Sequence, residues 1–272
     1  MDLRGLVNNA ARWLNGEDDA DGMIVSCRAR LARNISTLPF APKATLDDQE
    51  QIIEQVLGAA QQGRQMGSAA FFKMNTLQIN ERRLLVERHL ISPALAESKG
   101  QRGLLFNPDE SLSVMINEED HMRLQAILPG LQPMQAWQEV NALDDELGGL
   151  LRYAHSEQWG FLTACPTNTG TGLRVSVLVH LPALVVTEDM ERVMRGLTQM
   201  TFTVRGYHGE GTNAVGNLFQ ISNQSTMGVP EGEIVEKLVE VTRQIMAHEK
   251  EAQAAVLKEA PSQVEDKVWR AY

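Results

Sequence analysis

Cysteine is nearly missing from this chain: Cys27 and Cys165 are the only two in 272 residues. That excludes a disulfide framework and points to a reducing compartment. No apolar run approaches the roughly 20 residues needed to span a membrane. The N-terminal MDLRGLVNNAARWLNG lacks the hydrophobic stretch of a signal peptide. A cytoplasmic chain with no membrane association is therefore expected. Positive charge is in deficit, with 25 Lys and Arg against 35 Asp and Glu and a net charge of −10. A general nucleic-acid binder would rest on a cationic surface, so that class is disfavoured. Several motifs are absent too. There is no G-x-x-x-x-G-K-[ST] loop, no protein-kinase glycine loop with its partner motifs, no H-E-x-x-H and no C-x-x-C. Any nucleotide would have to be held by arginines, because no glycine-rich phosphate cradle is present.

What is present supports a well-packed fold. Hydrophobic residues make up 43% of the chain and charged residues 22%, enough to bury a core in one large or two small domains. Residues 1–21 read as a lead-in ending in Glu17-Asp18-Asp19, and a strand follows from Met23 to Arg30. Thr45 and Asp48 form a capping-box pattern before a helix expected to carry Leu46, Ile52, Ile53, Val56 and Leu57 on its buried side. Strands are predicted near 71–79 and 103–106. Leu112, Val114 and Ile116 alternate as one buried strand face and run into Asn117-Glu118-Glu119-Asp120-His121. A further strand is expected over 122–128 and a helix over 143–154.

The clearest strand alternates Leu173, Val175, Val177 and Val179 with Arg174, Ser176, Leu178 and His180. Thr187 is expected to cap a helix carrying Met190, Val193, Met194 and Leu197. Strands over 201–205 and 217–221 precede a long amphipathic helix from Pro230 to about Lys258. Irregular alternation of these elements predicts an α+β fold whose antiparallel or mixed sheet is covered by helices. Ser262 and Glu265 suggest one more helix, with Val264, Val268 and Trp269 on its apolar face. The expected division is a lead-in at 1–21, a main domain at 22–260, and at 261–272 the start of a helix leading to an absent segment.

The chemistry concentrates on arginines and carboxylates. Arg28 and Arg30 project from the same side of one strand and could clamp a polyphosphate through charge-assisted bonds. A basic, solvated edge strand is the ordinary alternative. Arg123, Arg174 and Arg205 also sit in strand contexts and could converge with them to stabilise a phosphoryl transition state. Glu118, Glu119 and Asp120 are either a solvated turn, part of a cation cage, or half of a carboxylate pair gripping a guanidinium. Glu210, in a glycine-rich loop, would be the other half. Cys165 precedes a loop of small polar residues and reads either as structural or as a thiolate near positive charge. His89 and His121 read individually as structural.

These residues fall in six ordered blocks: SCRARLARN at 26–34, ERHLISP at 87–93, INEEDHMRLQ at 116–125, CPTNTGTGLRVSVLVHLP at 165–182, RGYHGEG at 205–211 and NLFQISNQ at 217–224. In this order they resemble the phosphagen kinases, most closely their bacterial protein-arginine kinase branch. The resemblance implies a glutamine-synthetase-like domain, a curved antiparallel sheet backed by helices. It implies ATP bound by Ser26, Cys27, Arg28, Ala29, Arg30, His89, Arg123, Arg174, Val175, Ser176, Val177, Leu178 and Arg205. Gly206, Tyr207, His208, Gly209 and Glu210 complete that set.

By the same resemblance Glu119 orients the acceptor guanidinium, Glu210 is its partner, Glu118 shares its motif and Cys165 sits beside the substrate. Magnesium would be held by ATP and water, with no protein metal ligand. No helical domain precedes SCRAR, which favours protein arginine over a small guanidino metabolite as substrate. The expected partners are arginine-bearing proteins, with an activator and a protease or chaperone implied by the family. A monomer or weak self-association is expected, since the branch dimerises through a segment beyond Tyr272. Tyr207-His208 departs from the Leu-Tyr usual at that point. A small-metabolite kinase and a catalytically weak ATP- or phosphoprotein-binding adaptor are the alternative readings.

Overall fold

A computed structural model describes residues 3–8, 10–14, 22–206 and 215–271. In chain order its elements begin with α1 (Leu3–Asn8), β1 (Ile24–Arg33), α2 (Leu46–Gln62), β2 (Ala70–Lys73), α3 (Ile79–Glu87) and α4 (Pro93–Glu97). Next come β3 (Gly103–Phe106), β4 (Leu112–Ile116), β5 (Met122–Pro129), α5 (Pro133–Gly148) and the small hairpin β6 (His155–Ser156) and β7 (Gly160–Phe161). Then follow β8 (Leu173–His180), α6 (Pro182–Val186), α7 (Met190–Gln199), β9 (Phe202–Gly206), β10 (Leu218–Asn223), α8 (Glu231–Glu259) and α9 (Pro261–Ala271).

The main sheet has the order β2-β3-β4-β5-β1-β8-β10-β9, and every neighbouring pair is antiparallel. Side chains alternate across a strand, so the register sorts residues onto two faces. Cys27, Ala29 and Leu31 share one face with Leu124, Ala126, Leu128, Val175, Val177 and Val179. All are buried in the main core, together with residues of α2, α5 and α8. The opposite face is divided. Over β3 and β4, Leu104, Phe106 and Met115 pack with Leu3, Leu6, Leu85, Leu90 and Leu95 from α1, α3, the following turn and α4. Over β5, β1, β8, β10 and β9 that face carries polar and cationic residues.

One buried ion pair fixes α5 to the centre of the sheet. Arg33, at the end of β1, is 1% exposed and lies 2.6 Å from Asp144. Its remaining donors reach the carbonyls of Ala32 and Thr171 at 2.9 and 2.8 Å, and its guanidinium stands 3.5 Å from the Phe161 ring centre. Gly172 makes this approach possible: at φ +69° a Cβ there would sit 2.6 Å from Nη1 of Arg33.

Several expectations shift for identifiable reasons. The helix expected over 143–154 is α5, whose Pro133 stands in the first turn and which ends before Gly149. Thr187 closes α6 instead of opening α7, because Pro182 starts a helix one turn earlier; Asp189 is the α7 cap. The strand expected over 71–79 stops at Lys73, and Ile79 opens α3. β1 runs to Arg33, longer than expected. In α9, Trp269 is 73% exposed, while the side chain of Val268 lies outside the described residues. No helix among the described residues is long and apolar enough to cross a membrane.

The capping box is present as expected: Thr45 Oγ1 accepts from the Asp48 amide at 3.2 Å, and Asp48 Oδ2 accepts from the Thr45 amide at 2.8 Å. The bond from the Thr45 hydroxyl, then that from its amide, lowers the Asp48 pKa. A depressed carboxyl contributes stability above its unfolded value of about 3.9 and loses it as pH falls through the lower native value. Thr45→Ala should therefore melt below the parent above about pH 4, with the gap closing in stronger acid. A melting difference that stayed constant down to unfolding would show that the carboxylate plays no part.

Candidate functional site

Register converts scattered arginines into one cluster. Arg30 stands opposite Arg174 on β8 and Gln125 on β5; Arg28 stands opposite Ser176 and Ile127; Ala32 stands opposite Arg123. Leu178 is opposite Gln220 on β10, which is itself opposite Arg205 on β9. By strand alternation all of these side chains share the face away from the main core. Among them the five arginines, Ala32 and Gln220 line a cavity of about 360 Å³ that Glu119 also borders. A small adjoining hollow is lined by Ser26, His89, Ile127, Ser176 and Leu178, and shares Arg28 and Gln220 with it.

Electrostatics shows what the cavity would attract. Burial, then the neighbouring Arg28, Arg123 and Arg174, pushes the Arg30 guanidinium well below its ordinary pKa. Burial, then Arg205 and Arg123, does the same to Arg174 more mildly. A guanidinium does not give up its proton at accessible pH. These directions therefore reflect burial first and cationic repulsion second, and a polyanion would offset both. Neutral partners orient two of the cations: Gln220 accepts from Arg28 and Ser222 from Arg174, both at 3.2 Å.

The adjacent carboxylates diverge. Glu119 is at the cavity rim, where Oε2 accepts from Arg123 at 3.0 Å and from Asn168 at 3.3 Å. Glu118 turns inward, ion-paired to Arg123 at 2.7 Å and hydrogen-bonded by Ser92. Glu118 thus orients Arg123 from behind and is not among the residues lining the cavity. Asp120 is buried and joins two segments, accepting from the Ala164 amide and the Asn34 side chain at 2.6 Å each. Burial raises its pKa against those two bonds. Asn34 also donates to Leu162 at 3.1 Å, so the segment carrying Cys165 is tied to the motif carrying Glu119. Cys165 is half-buried, with Sγ 3.0 Å from the Thr167 hydroxyl. His121 is structural: Nδ1 accepts from the Ile35 amide, so Nε2 donates to the Pro39 carbonyl at 2.9 Å. Burial lowers its pKa and keeps the ring neutral.

Of the residues expected to hold nucleotide, Ser26, Arg28, Arg30, His89, Arg123, Arg174, Ser176, Leu178 and Arg205 line the two connected hollows. Cys27 is also in contact with the smaller one, but its side chain belongs to the core, where burial pushes the thiol up to about 12. Ala29, Val175 and Val177 likewise face the core, and only their backbones run beneath the site. Gly206 ends β9 opposite Phe219. Tyr207, His208, Gly209 and Glu210 lie outside the described residues. The sequence reading assigned no role to Gln125, Gln220, Ser222 or Asn168. Period-two spacing from Arg123 is the signal that could have found Gln125, whereas Gln220 and Ser222 reach Arg28 and Arg174 through cross-strand pairing. Among the described residues no three His, Cys, Asp or Glu side chains group as metal ligands.

Comparison with known proteins gives this geometry a lineage. Residues 48–252 match the family described as ATP:guanido phosphotransferase, C-terminal catalytic domain. The protein-arginine kinase of Halothermothrix orenii is 45% identical over 273 residues, covering all of this chain and 78% of that one. That of Desulforamulus reducens is 44% identical over 276 residues, again covering the whole chain and 77% of the relative. Among solved structures, lombricine kinase superposes with a TM-score of 0.76 at 25% identity, over 93% of this chain and 72% of that one. The duplicated taurocyamine kinase of Schistosoma mansoni, with bound transition-state-analogue components, gives 0.77 at 23% identity over 86% and 34%. The latter likeness establishes the fold: an antiparallel sheet backed by helices, of the glutamine-synthetase-like kind expected. With its sheet, its ordered motifs and its full-length relatives in agreement, the chain belongs to the ATP:guanido phosphotransferase family.

Proposed function

We propose that the chain transfers the γ-phosphoryl group of ATP to arginine side chains of proteins. The observation that carries this reading is the gathering of Arg28, Arg30, Arg123, Arg174 and Arg205 around one cavity with Glu119 at its rim. Relatives named protein-arginine kinase, matching over the whole chain, support protein arginine as the acceptor. The triphosphate would lie along the arginines, with its nucleoside toward Ser26, His89, Ser176 and Leu178.

The acceptor must be oriented and relieved of a proton, because its lone pairs are delocalised and its pKa exceeds about 12. Glu119 would hold the guanidinium in place of its present partners Arg123 and Asn168, with Glu210 as the second carboxylate. One guanidinium nitrogen then attacks the γ-phosphorus. The N–P bond forms, the bond to the ADP oxygen breaks with its electron pair passing to ADP, and the nitrogen's proton goes to a carboxylate. The arginine cluster offsets charge on the transferring group, and alignment supplies much of the acceleration. Magnesium, bound to the phosphates, would supply further charge neutralisation. Glu119 is the one carboxylate among the described residues lining the cavity, which suits a cation carried by the nucleotide. An activator and a protease or chaperone that uses the product belong to the same proposal by family resemblance.

ATP consumption measured in parallel with an arginine-bearing protein, free arginine and creatine tests the reading. Turnover with the protein is expected; faster turnover of a free guanidine would transfer the assignment to a small-metabolite kinase, and none with any acceptor would favour an adaptor. Arg174→Ala should weaken ATP binding by about 10- to 100-fold, as loss of a charge-assisted contact does. Unchanged affinity by titration calorimetry would remove Arg174 from the phosphate site.

A further inference from the structure

We infer that Trp13, in the N-terminal segment, is a positioning residue for the nucleotide, acting by fixing the imidazole of His89. Trp13 is 6% exposed and belongs to a single turn at Arg12–Leu14 that packs on β1 and β5. Its ring meets that of His89 edge to face, with centroids 4.7 Å apart and planes at 72°. Its Nε1 donates to the Arg88 carbonyl, the peptide directly before His89, at 3.4 Å. On its other side it clusters with Ala11 and Ile127, and Ile127 is the strand neighbour of Arg28.

His89 needs such support. It lies just after α3 with φ +59°, a backbone state unusual for a residue bearing a side chain. The Gln125 amide holds its carbonyl at 2.7 Å, so the main chain is anchored to the cationic face of the sheet. That bond fixes the backbone, and the edge-to-face contact with Trp13 bears on the ring itself, restricting its rotamer. His89 and Ile127 both line the hollow that adjoins the arginine cavity. Trp13 therefore forms the layer behind two wall residues of the nucleotide end, and the segment 10–14 becomes part of the site. Arg88 strengthens the join: it ion-pairs with Glu110 and donates to the Leu6 carbonyl of α1 at 2.8 Å.

This inference rests on the reading of the cleft as an ATP site, and the test separates the two. ATP affinity without acceptor, KM for ATP, kcat and melting temperature are measured for the parent, Trp13→Phe, Trp13→Ala, His89→Ala and the double variant Trp13→Ala/His89→Ala. Trp13→Ala should raise KM for ATP and weaken ATP binding about five- to tenfold, the scale of a lost aromatic pair. At saturating ATP its kcat should stay within about twofold of the parent, since only ground-state positioning is lost. Trp13→Phe, which keeps a ring against His89, should recover most of the affinity. In the double variant the two losses should not add, because both act through one imidazole. The indole should also report binding, so Trp13→Phe should lose part of the fluorescence change that ATP produces. Full additivity, or a lower melting temperature with unchanged ATP affinity in both Trp13 variants, would make Trp13 a packing residue and overturn the inference. A parent chain that binds no ATP would instead overturn the nucleotide reading itself.

Discussion

Glu119→Gln is expected to lower kcat for arginine phosphorylation by about a hundredfold or more, the usual contribution of a positioned acid–base group. ATP affinity should remain close to that of the parent. The substitution keeps the shape of the side chain and an oxygen that can accept from Arg123 and Asn168. It removes the charge that pairs with an incoming guanidinium and the site that takes its proton. Measuring nucleotide binding separately from single-turnover transfer distinguishes the two effects. A variant with parental kcat would show that the rim carboxylate is dispensable. Glu118→Gln should behave differently, because Glu118 contacts Arg123 and Ser92 behind the cavity. Its loss should appear in ATP binding as well as in turnover.

The second large effect lies in stability. Asp144→Ala should destabilise the chain by about 3–5 kcal/mol, since it takes the hydrogen-bonded carboxylate from a guanidinium buried in the core. For a domain of this size that corresponds to a melting temperature lower by roughly 10 °C. The Ala32 and Thr171 carbonyls and the Phe161 ring would remain as uncharged partners, and the one carboxylate left to it among the described residues, Glu231, stands 4.0 Å away. Pairing Asp144→Leu with Arg33→Met should recover most of the loss, because apolar residues of similar volume can replace a buried ion pair. If Asp144→Ala alone melts with the parent, the pair does not hold α5 to β1.

Strand alternation was enough to place Arg174 opposite in direction to Val175 and Val177, and to put Arg28 and Arg30 on one side of β1. What it could not supply was register. Whether Arg30 meets Arg174 and Ala32 meets Arg123 depends on pairing between segments far apart in the chain, and that is fixed by the whole core. The same limit explains the carboxylates. Glu118 and Glu119 are neighbours with equal chemistry, and only tertiary packing sends one inward to Ser92 and leaves the other at the rim. Helix boundaries failed where breakers were underweighted: Pro133 and Gly149 bracket α5 more faithfully than its apolar pattern does. The contact set carried over by resemblance named whole runs such as 175–178, in which every second side chain points to the core. Trp13 had no motif around it, and its hydrogen bond to the Arg88 carbonyl joins residues 75 apart.

β1 has a double allegiance. Its even-numbered side chains at 28 and 30 form the floor of the cationic cavity, while those at 27, 29 and 31 seal the core, and its two neighbours, β5 and β8, come from the two halves of the sheet. A slip of one residue would drive guanidinium groups beneath α5 and bring apolar side chains to the phosphates. Nucleotide binding thus reads out the pairing of this strand. Any partly open form that releases β1 surrenders Arg28 and Arg30 together, so ATP should draw the population away from such forms in proportion to its occupancy. Amide exchange along β1, β5 and β8 should slow together when nucleotide is added, at the core-facing residues as well as at the arginines.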